Sequence, residues 1–187
     1  MIAIRLAGSG GQGIQLAAVV LAEAAMRGGW NVACTHSYGP ESRGGASRAD
    51  VVISRTEIDY PRAERPDILI VLSREAYQRF SGDLRPGGTL IGDDAILTGD
   101  PPAGLTIYAL PIAATARDLG SALAANVVAL GVLCAVTEII DRDAFSEALA
   151  AHRRGQDARN LRALQAGLSL GGRAAAPLAP VGSGGPP

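Results

Sequence analysis

Glycines at positions 8, 10 and 13 in the run Gly8-Ser9-Gly10-Gly11-Gln12-Gly13 have the spacing of a backbone loop that receives an anion where a strand gives way to a helix. The context agrees, because apolar Ile2 to Ala7 precedes the run and helix-favouring Ile14 to Arg27 follows it. Glycine allows a tight turn and lets a ligand approach the backbone. It equally allows close packing of helix on strand with nothing bound, and spacing alone leaves both readings open. Gln12 adds an amide beside the loop that can donate and accept. A dinucleotide site also wants an acidic residue at the end of the second strand, about 20 residues on, to hold the ribose. None occurs between Glu23 and Glu41, and the second strand ends Thr35-His36-Ser37-Tyr38. That argues against NAD. A P-loop is excluded because no Gly-Lys-Ser/Thr follows.

A second candidate follows that strand. Tyr38-Gly39-Pro40-Glu41-Ser42-Arg43-Gly44-Gly45-Ala46-Ser47 is rich in turn formers and reads as a loop. Loops leaving the carboxyl ends of neighbouring parallel strands gather on one edge of an open α/β sheet, so this loop is expected to face the first. Ser42, Arg43, Gly44 and Gly45 then join Gly8, Gly10, Gly11, Gln12 and Gly13 as candidate binding residues. Arg43 there clamps a phosphate or carboxylate, or else is a solvated charge or a salt-bridge partner of another chain.

Other reactive side chains are sparse. Cys34 and Cys134 form neither a CxxC pair nor a Cys/His cluster, so they are expected as buried free thiols rather than a disulfide or zinc site. His36 and His152 have no second ligand at metal spacing, and Asp93-Asp94 reads as a strand-end turn. No catalytic residue and no metal ligand is assigned. Asn126 stands in an Ala/Val/Leu helix, where an unpaired amide costs roughly 1 to 3 kcal/mol. It therefore needs a partner, either a backbone carbonyl or buried water, or else a loop near the ligand or an adjoining subunit.

The elements that must position these residues follow from pattern. Strands are expected at Ile2 to Ala7, Asn31 to Ser37, Asp50 to Ser54, Asp67 to Leu72, Gly88 to Gly92 and Leu105 to Leu110. Helices are expected at Ile14 to Arg27, Arg74 to Phe80, Ala122 to Glu138, Asp143 to His152 and Ala158 to Leu168. The fold class is α/β: a Rossmann-like, mostly parallel sheet flanked by helices, with a helical C-terminal third. Residues 1–170 form one domain, and 171–187, nearly all Gly, Ala, Pro and Ser, read as a flexible tail.

At 187 residues, 48% hydrophobic and 19% charged, the chain suits a single buried core. A net charge of −1 supplies no broad attraction for nucleic acid or an anionic membrane. Leu119 to Thr137 is uncharged. Its Ala content, its interruption by Ser121, Asn126 and Gly131, and the lack of a basic flank make it a buried helix rather than a membrane span. The first residues enter a strand directly, without a secretory leader, and the cytoplasm is the expected compartment.

Together, Arg5 to Gly13 and Ser37 to Gly45 resemble the gamma subunit of 2-oxoacid:ferredoxin oxidoreductases. The likeness continues through Val52-Ile53-Ser54, Ile58-Asp59-Tyr60-Pro61, Pro66-Asp67 and Ala125-Asn126-Val127-Val128-Ala129-Leu130-Gly131, over roughly residues 1–170. It implies a complex that decarboxylates a 2-oxoacid on thiamine diphosphate with magnesium, passes electrons through iron–sulfur clusters to ferredoxin or another acceptor, and acylates coenzyme A. Those cofactors are expected on alpha and beta partner subunits, with a ferredoxin-like delta subunit in some members. None is expected on this chain alone, which lacks four clustered cysteines and a GDG thiamine motif. The resemblance places the glycine loop and Ser42 to Gly45 near the coenzyme A route. Asp59-Tyr60-Pro61 and stand-alone size favour 2-oxoglutarate over pyruvate, branched-chain or aryl 2-oxoacids. A purely docking role without ligand contact is the alternative.

Overall fold

The computed structural model describes residues 1–37, 45–61, 63–97, 103–152 and 157–174. Six strands run in chain order as β1 (Ile2–Ser9), β2 (Asn31–Ser37), β3 (Ala46–Ser54), β4 (Ile68–Val71), β5 (Thr89–Asp93) and β6 (Thr106–Leu110). Among the described residues there are also six α-helices: α1 (Ile14–Arg27), α2 (Arg74–Phe80), α3 (Ile112–Asp118), α4 (Ala125–Thr137), α5 (Arg142–His152) and α6 (Asp157–Arg173). All six expected strands and all five expected helices are present.

The strands form one sheet in the order β2-β3-β1-β4-β5-β6. β1, β4, β5 and β6 are mutually parallel, and β3 runs antiparallel to both β1 and β2. The sheet is therefore mostly parallel, as expected, with one reversed strand. That strand separates β1 from β2, which are not neighbours. β3 also begins four residues earlier than expected, at Ala46, because Ala46 pairs with Ser9 and Arg48 pairs with both Ala7 and Ser37. Pairing with β1 outweighs the weak strand preference of Ala46-Ser47, so these two residues leave the predicted loop and join the sheet. Gly8 likewise belongs to β1, opposite Ser47.

Alternation along β1 divides its side chains between two layers. Ile4 and Leu6 pack with α1, α4 and α5 in the larger core, whereas Ala7 joins Phe80, Leu84 and Leu90 under α2. α4 is buried along Asn126 to Cys134, which fits the expected all-round apolar helix, and no helix among the described residues is long and apolar enough to cross a membrane. Its contact with α6 is close. A Cβ on Gly131 would overlap the Leu164 carbonyl, and one on Gly167 would overlap the Val128 carbonyl.

The helices after β6 differ most from expectation. Ala122–Ala124 forms a 3-10 turn ahead of α4. α3 is an additional helix, since seven residues after Pro111 carry too little periodicity to signal one, although proline at a helix start fits its fixed φ. α6 extends to Arg173, three residues into the predicted tail, because Gly171 packs against Ala135 and Val132 of α4.

Candidate functional site

The chain leaves β1 at Ser9 and enters α1 after Gly13, whose φ of 72° and left-handed conformation turn it into the helix. Gly11, with φ 87°, makes the other sharp step. Both conformations favour glycine. Gly13 has a second reason to lack a side chain, since a Cβ there would overlap the Asn126 amide. Gly8 is glycine for space: a Cβ would stand 2.5 Å from Gln12 Oε1 and 2.9 Å from Ile14 Cδ1. Gly10 and Gly11 are exposed, with nothing within 4 Å of a notional Cβ on either.

Gln12 lies across the base of the loop. Its Oε1 accepts from Ser9 N–H at 2.7 Å, and its Nε2 donates to the Leu72 carbonyl at 2.8 Å. Leu72 directly follows β4, so this amide bridges the carboxyl ends of β1 and β4. There the strand order reverses, because α1 leads to the β2 edge while β4, β5 and β6 extend the other way. Crevices at such switch points are where open α/β sheets bind ligands. The sequence marks Gln12 as a ligand contact; its two amide bonds instead go to the chain's own backbone.

Asn126 has the partner it requires. It is 5% exposed, its Nδ2 donates to the Gly13 carbonyl at 3.1 Å, and its Oδ1 accepts from Val127 N–H at 2.7 Å. The two kinds of partner open to it converge, since the backbone carbonyl belongs to the glycine loop.

Between the loop and the helices opens a crevice of about 220 Å³. Gly11, Gln12 and Gly13 form one wall; Ser121, Leu123 and Asn126 at the entry to α4, with Arg159 and Asn160 of α6, form the opposite side. The N–H groups of Gly10, Gly11 and Gly13 and of Ile14, Gln15 and Leu16 at the start of α1 meet no acceptor among the described residues. They join the positive end of the α1 dipole. Arg159 is the one charged side chain among the described lining residues. Neither it nor Asn160 stands out in the sequence, because both lie almost 150 positions beyond the loop and carry no local motif. Of the second predicted loop, Gly45 leads into Ala46, which pairs with Ser9, so this loop does exit at the edge carrying the first. Ser42, Arg43 and Gly44 lie outside the described residues.

A larger cleft of about 670 Å³ lies over β2, β3 and β1, lined by Arg5, His36, Arg48, Asp50 and Glu64 among others. Arg5 at its floor is 2% exposed and bonds Asp50, Asp83 and the Ala63 carbonyl. These bonds occupy its guanidinium in holding β1, β3 and the flanking loops together. The smaller crevice, where backbone donors meet no acceptor among the described residues, is the better candidate for an anionic ligand.

The remaining side chains fall into structural roles. Asp93 caps the turn after β5 and the start of α3, accepting from Ala95 and Ala113 N–H. Cys134 is buried as expected and donates to the Ile140 carbonyl at 3.2 Å; burial, with a lesser push from Asp141, raises its pKa to about 11. Cys34 departs from expectation. It is only half-buried, because β2 is an edge strand, and burial followed by Asp50 raises its pKa as well. No group of three or more metal-ligating side chains occurs among the described residues.

Strand, glycine turn and helix at a sheet switch point, with an arginine lining the same crevice, make this a Rossmann-like α/β domain. Residues 3–170 match the pyruvate ferredoxin/flavodoxin oxidoreductase family, and the chain belongs to it. It is 42% identical over 176 residues to the 2-oxoglutarate synthase subunit KorC of Methanothermobacter thermautotrophicus, covering 89% of this chain and 93% of that one. The fold matches the gamma subunit of a keto/oxoacid ferredoxin oxidoreductase from Geobacter sulfurreducens, with a TM-score of 0.81 and 35% identity over 91% of this chain and 98% of that one. It also matches a 2-oxoglutarate:ferredoxin oxidoreductase from Magnetococcus marinus that holds 2-oxoglutarate, coenzyme A and succinyl-CoA, with a TM-score of 0.85 and 26% identity. That alignment covers 96% of this chain but 32% of the Magnetococcus chain.

Proposed function

We propose that the chain is the gamma subunit of a 2-oxoacid:ferredoxin oxidoreductase complex that turns 2-oxoglutarate and coenzyme A into succinyl-CoA, and that its glycine crevice forms part of the coenzyme A site. The observation that carries this reading is the crevice itself, with N–H groups that meet no acceptor among the described residues and with Arg159, in a chain that aligns along nearly its whole length with 2-oxoglutarate synthase subunits. Coenzyme A presents phosphates, which suit a helix N-terminus and a guanidinium.

Its partners are alpha and beta subunits carrying thiamine diphosphate with magnesium, and iron–sulfur clusters on a partner chain. The residues of this chain do not fit such a cluster. It has two cysteines, on β2 and in α4, one of them a buried thiol with a raised pKa, whereas a cluster takes four thiolates. The chain therefore contributes binding and orientation, and no electron-transfer step runs through it.

A docking role has its own support: Leu123 is 71% exposed at the mouth of the crevice and Leu119 is 38% exposed, which suits contact with another subunit.

Coexpression with thiamine-binding partner subunits tests the proposal, with coenzyme A-dependent ferredoxin reduction followed for 2-oxoglutarate, pyruvate, branched-chain 2-oxoacids and indolepyruvate. The expected result is copurification and preference for 2-oxoglutarate. Full coenzyme A-dependent turnover by a complex lacking this chain would overturn it.

A further inference from the structure

Gln12 and Asn126 grip the glycine loop from its two ends. Gln12 fastens Ser9 and ties it to Leu72 after β4; Asn126, reaching from α4, fastens the Gly13 carbonyl. Each uses both functions of a carboxamide. At position 12 a carboxylate has no donor for the Leu72 carbonyl and an ammonium has no acceptor for Ser9 N–H. At position 126 a carboxylate would confront the Gly13 carbonyl. Between the two fastened points lie Gly10 and Gly11, exposed and with N–H groups that meet no acceptor among the described residues. Glycine chains lose more conformational freedom on ordering than any other, so an untethered loop of this composition would resist being fixed around a ligand.

We propose that Gln12 and Asn126 are positioning residues that hold the glycine loop in its ligand-accepting form before the phosphate-bearing co-substrate arrives. This rests on reading the crevice as part of the coenzyme A site. The geometry explains why both side chains are amides, since each donates and accepts at once. It also makes loop position follow α4, since Asn126 opens that helix.

The test uses the assembled complex with coenzyme A as the varied substrate and a thermal melt of each variant. Gln12→Glu and Asn126→Asp keep side-chain size and remove the donor. Each is expected to raise the KM for coenzyme A about tenfold, with kcat at saturating coenzyme A and the KM for the 2-oxoacid moving less than about twofold. Gly10→Asp, which touches neither amide, reports on the site itself. If Gly10→Asp raises the KM for coenzyme A while both amide variants leave it unchanged and only lower the melting temperature, the positioning role is overturned and the site reading stands. If none of the three shifts that KM, the site reading falls and the inference with it. Should Asn126→Asp fail to assemble, Gln12→Glu carries the test.

Discussion

Replacing Gly10 by aspartate probes the crevice with little structural cost. Gly10 is exposed, its φ lies outside the left-handed region, and a Cβ there meets nothing within 4 Å, so the free chain accommodates the side chain. The added carboxylate stands beside the N–H groups that an incoming phosphate would use. A phosphate held by Gly11 to Gly13 is within about 7 Å of it, from the reach of one or two residues. At an effective dielectric of about 40, suited to an open crevice, a unit charge pair at that distance repels by about 1.2 kcal/mol, which is close to tenfold in affinity. In the reconstituted complex the KM for coenzyme A should rise by that factor at low salt and by less at high salt, because exposed charges are screened. Gly10→Ser, equally small and uncharged, should stay within about threefold of wild type. A Gly10→Asp complex that assembles and shows the wild-type KM at low ionic strength would refute the placement of a phosphate at this loop.

Gly167→Ala should destabilise the chain by about 1 to 3 kcal/mol, seen as a lower thermal midpoint, because its Cβ would overlap the Val128 carbonyl and force α4 and α6 apart. An unchanged melt would mean that the close helix crossing is wrong. Asp50→Asn should cost about 3 kcal/mol in denaturant titration, since it strips Arg5, 2% exposed, of its buried counter-charge; equal stability would show that Asp83 alone compensates. Cys134 gives a pH signature. Burial raises its pKa from the ordinary thiol range to about 11 in the folded chain, so the folded state holds the proton more tightly than the unfolded one. Its contribution is unaffected below about pH 9 and is lost as pH rises from about 9 to 11, by about 2 to 3 kcal/mol. Cys134→Ala should flatten that alkaline limb of stability against pH, and an identical slope in wild type and variant would rule out this thiol as its source.

Local pattern determines much of this molecule. Alternating and continuous apolar runs locate all six strands, and α1 and α2 match their expected bounds residue for residue, because periodicity and capping act within a few residues along the chain. The glycine turn is equally legible, since left-handed backbone at Gly11 and Gly13 and the tight space at Gly8 all demand the residue type seen. The missing acid after β2 separates the loop from a dinucleotide site on residue types alone. Asn126 announces itself as a polar residue in an apolar helix.

Tertiary structure decides the rest. Residue pattern cannot say that β3 reverses direction and inserts between β1 and β2, because a strand's period is the same in either orientation and pairing is chosen by distant partners. For the same reason Ala46 and Ser47 read as loop until β1, far away in sequence, supplies their pairing. Gln12 looks like a hand held out to a ligand. Only the approach of Leu72, 60 residues further along, shows that its amide closes the base of the loop instead. Arg159 comes to the crevice through the packing of α6 on α4, where glycines at 131 and 167 let the two backbones meet. A glycine loop thus declares its own shape in sequence. What stands opposite it depends on contacts between parts of the chain whose spacing leaves no local trace.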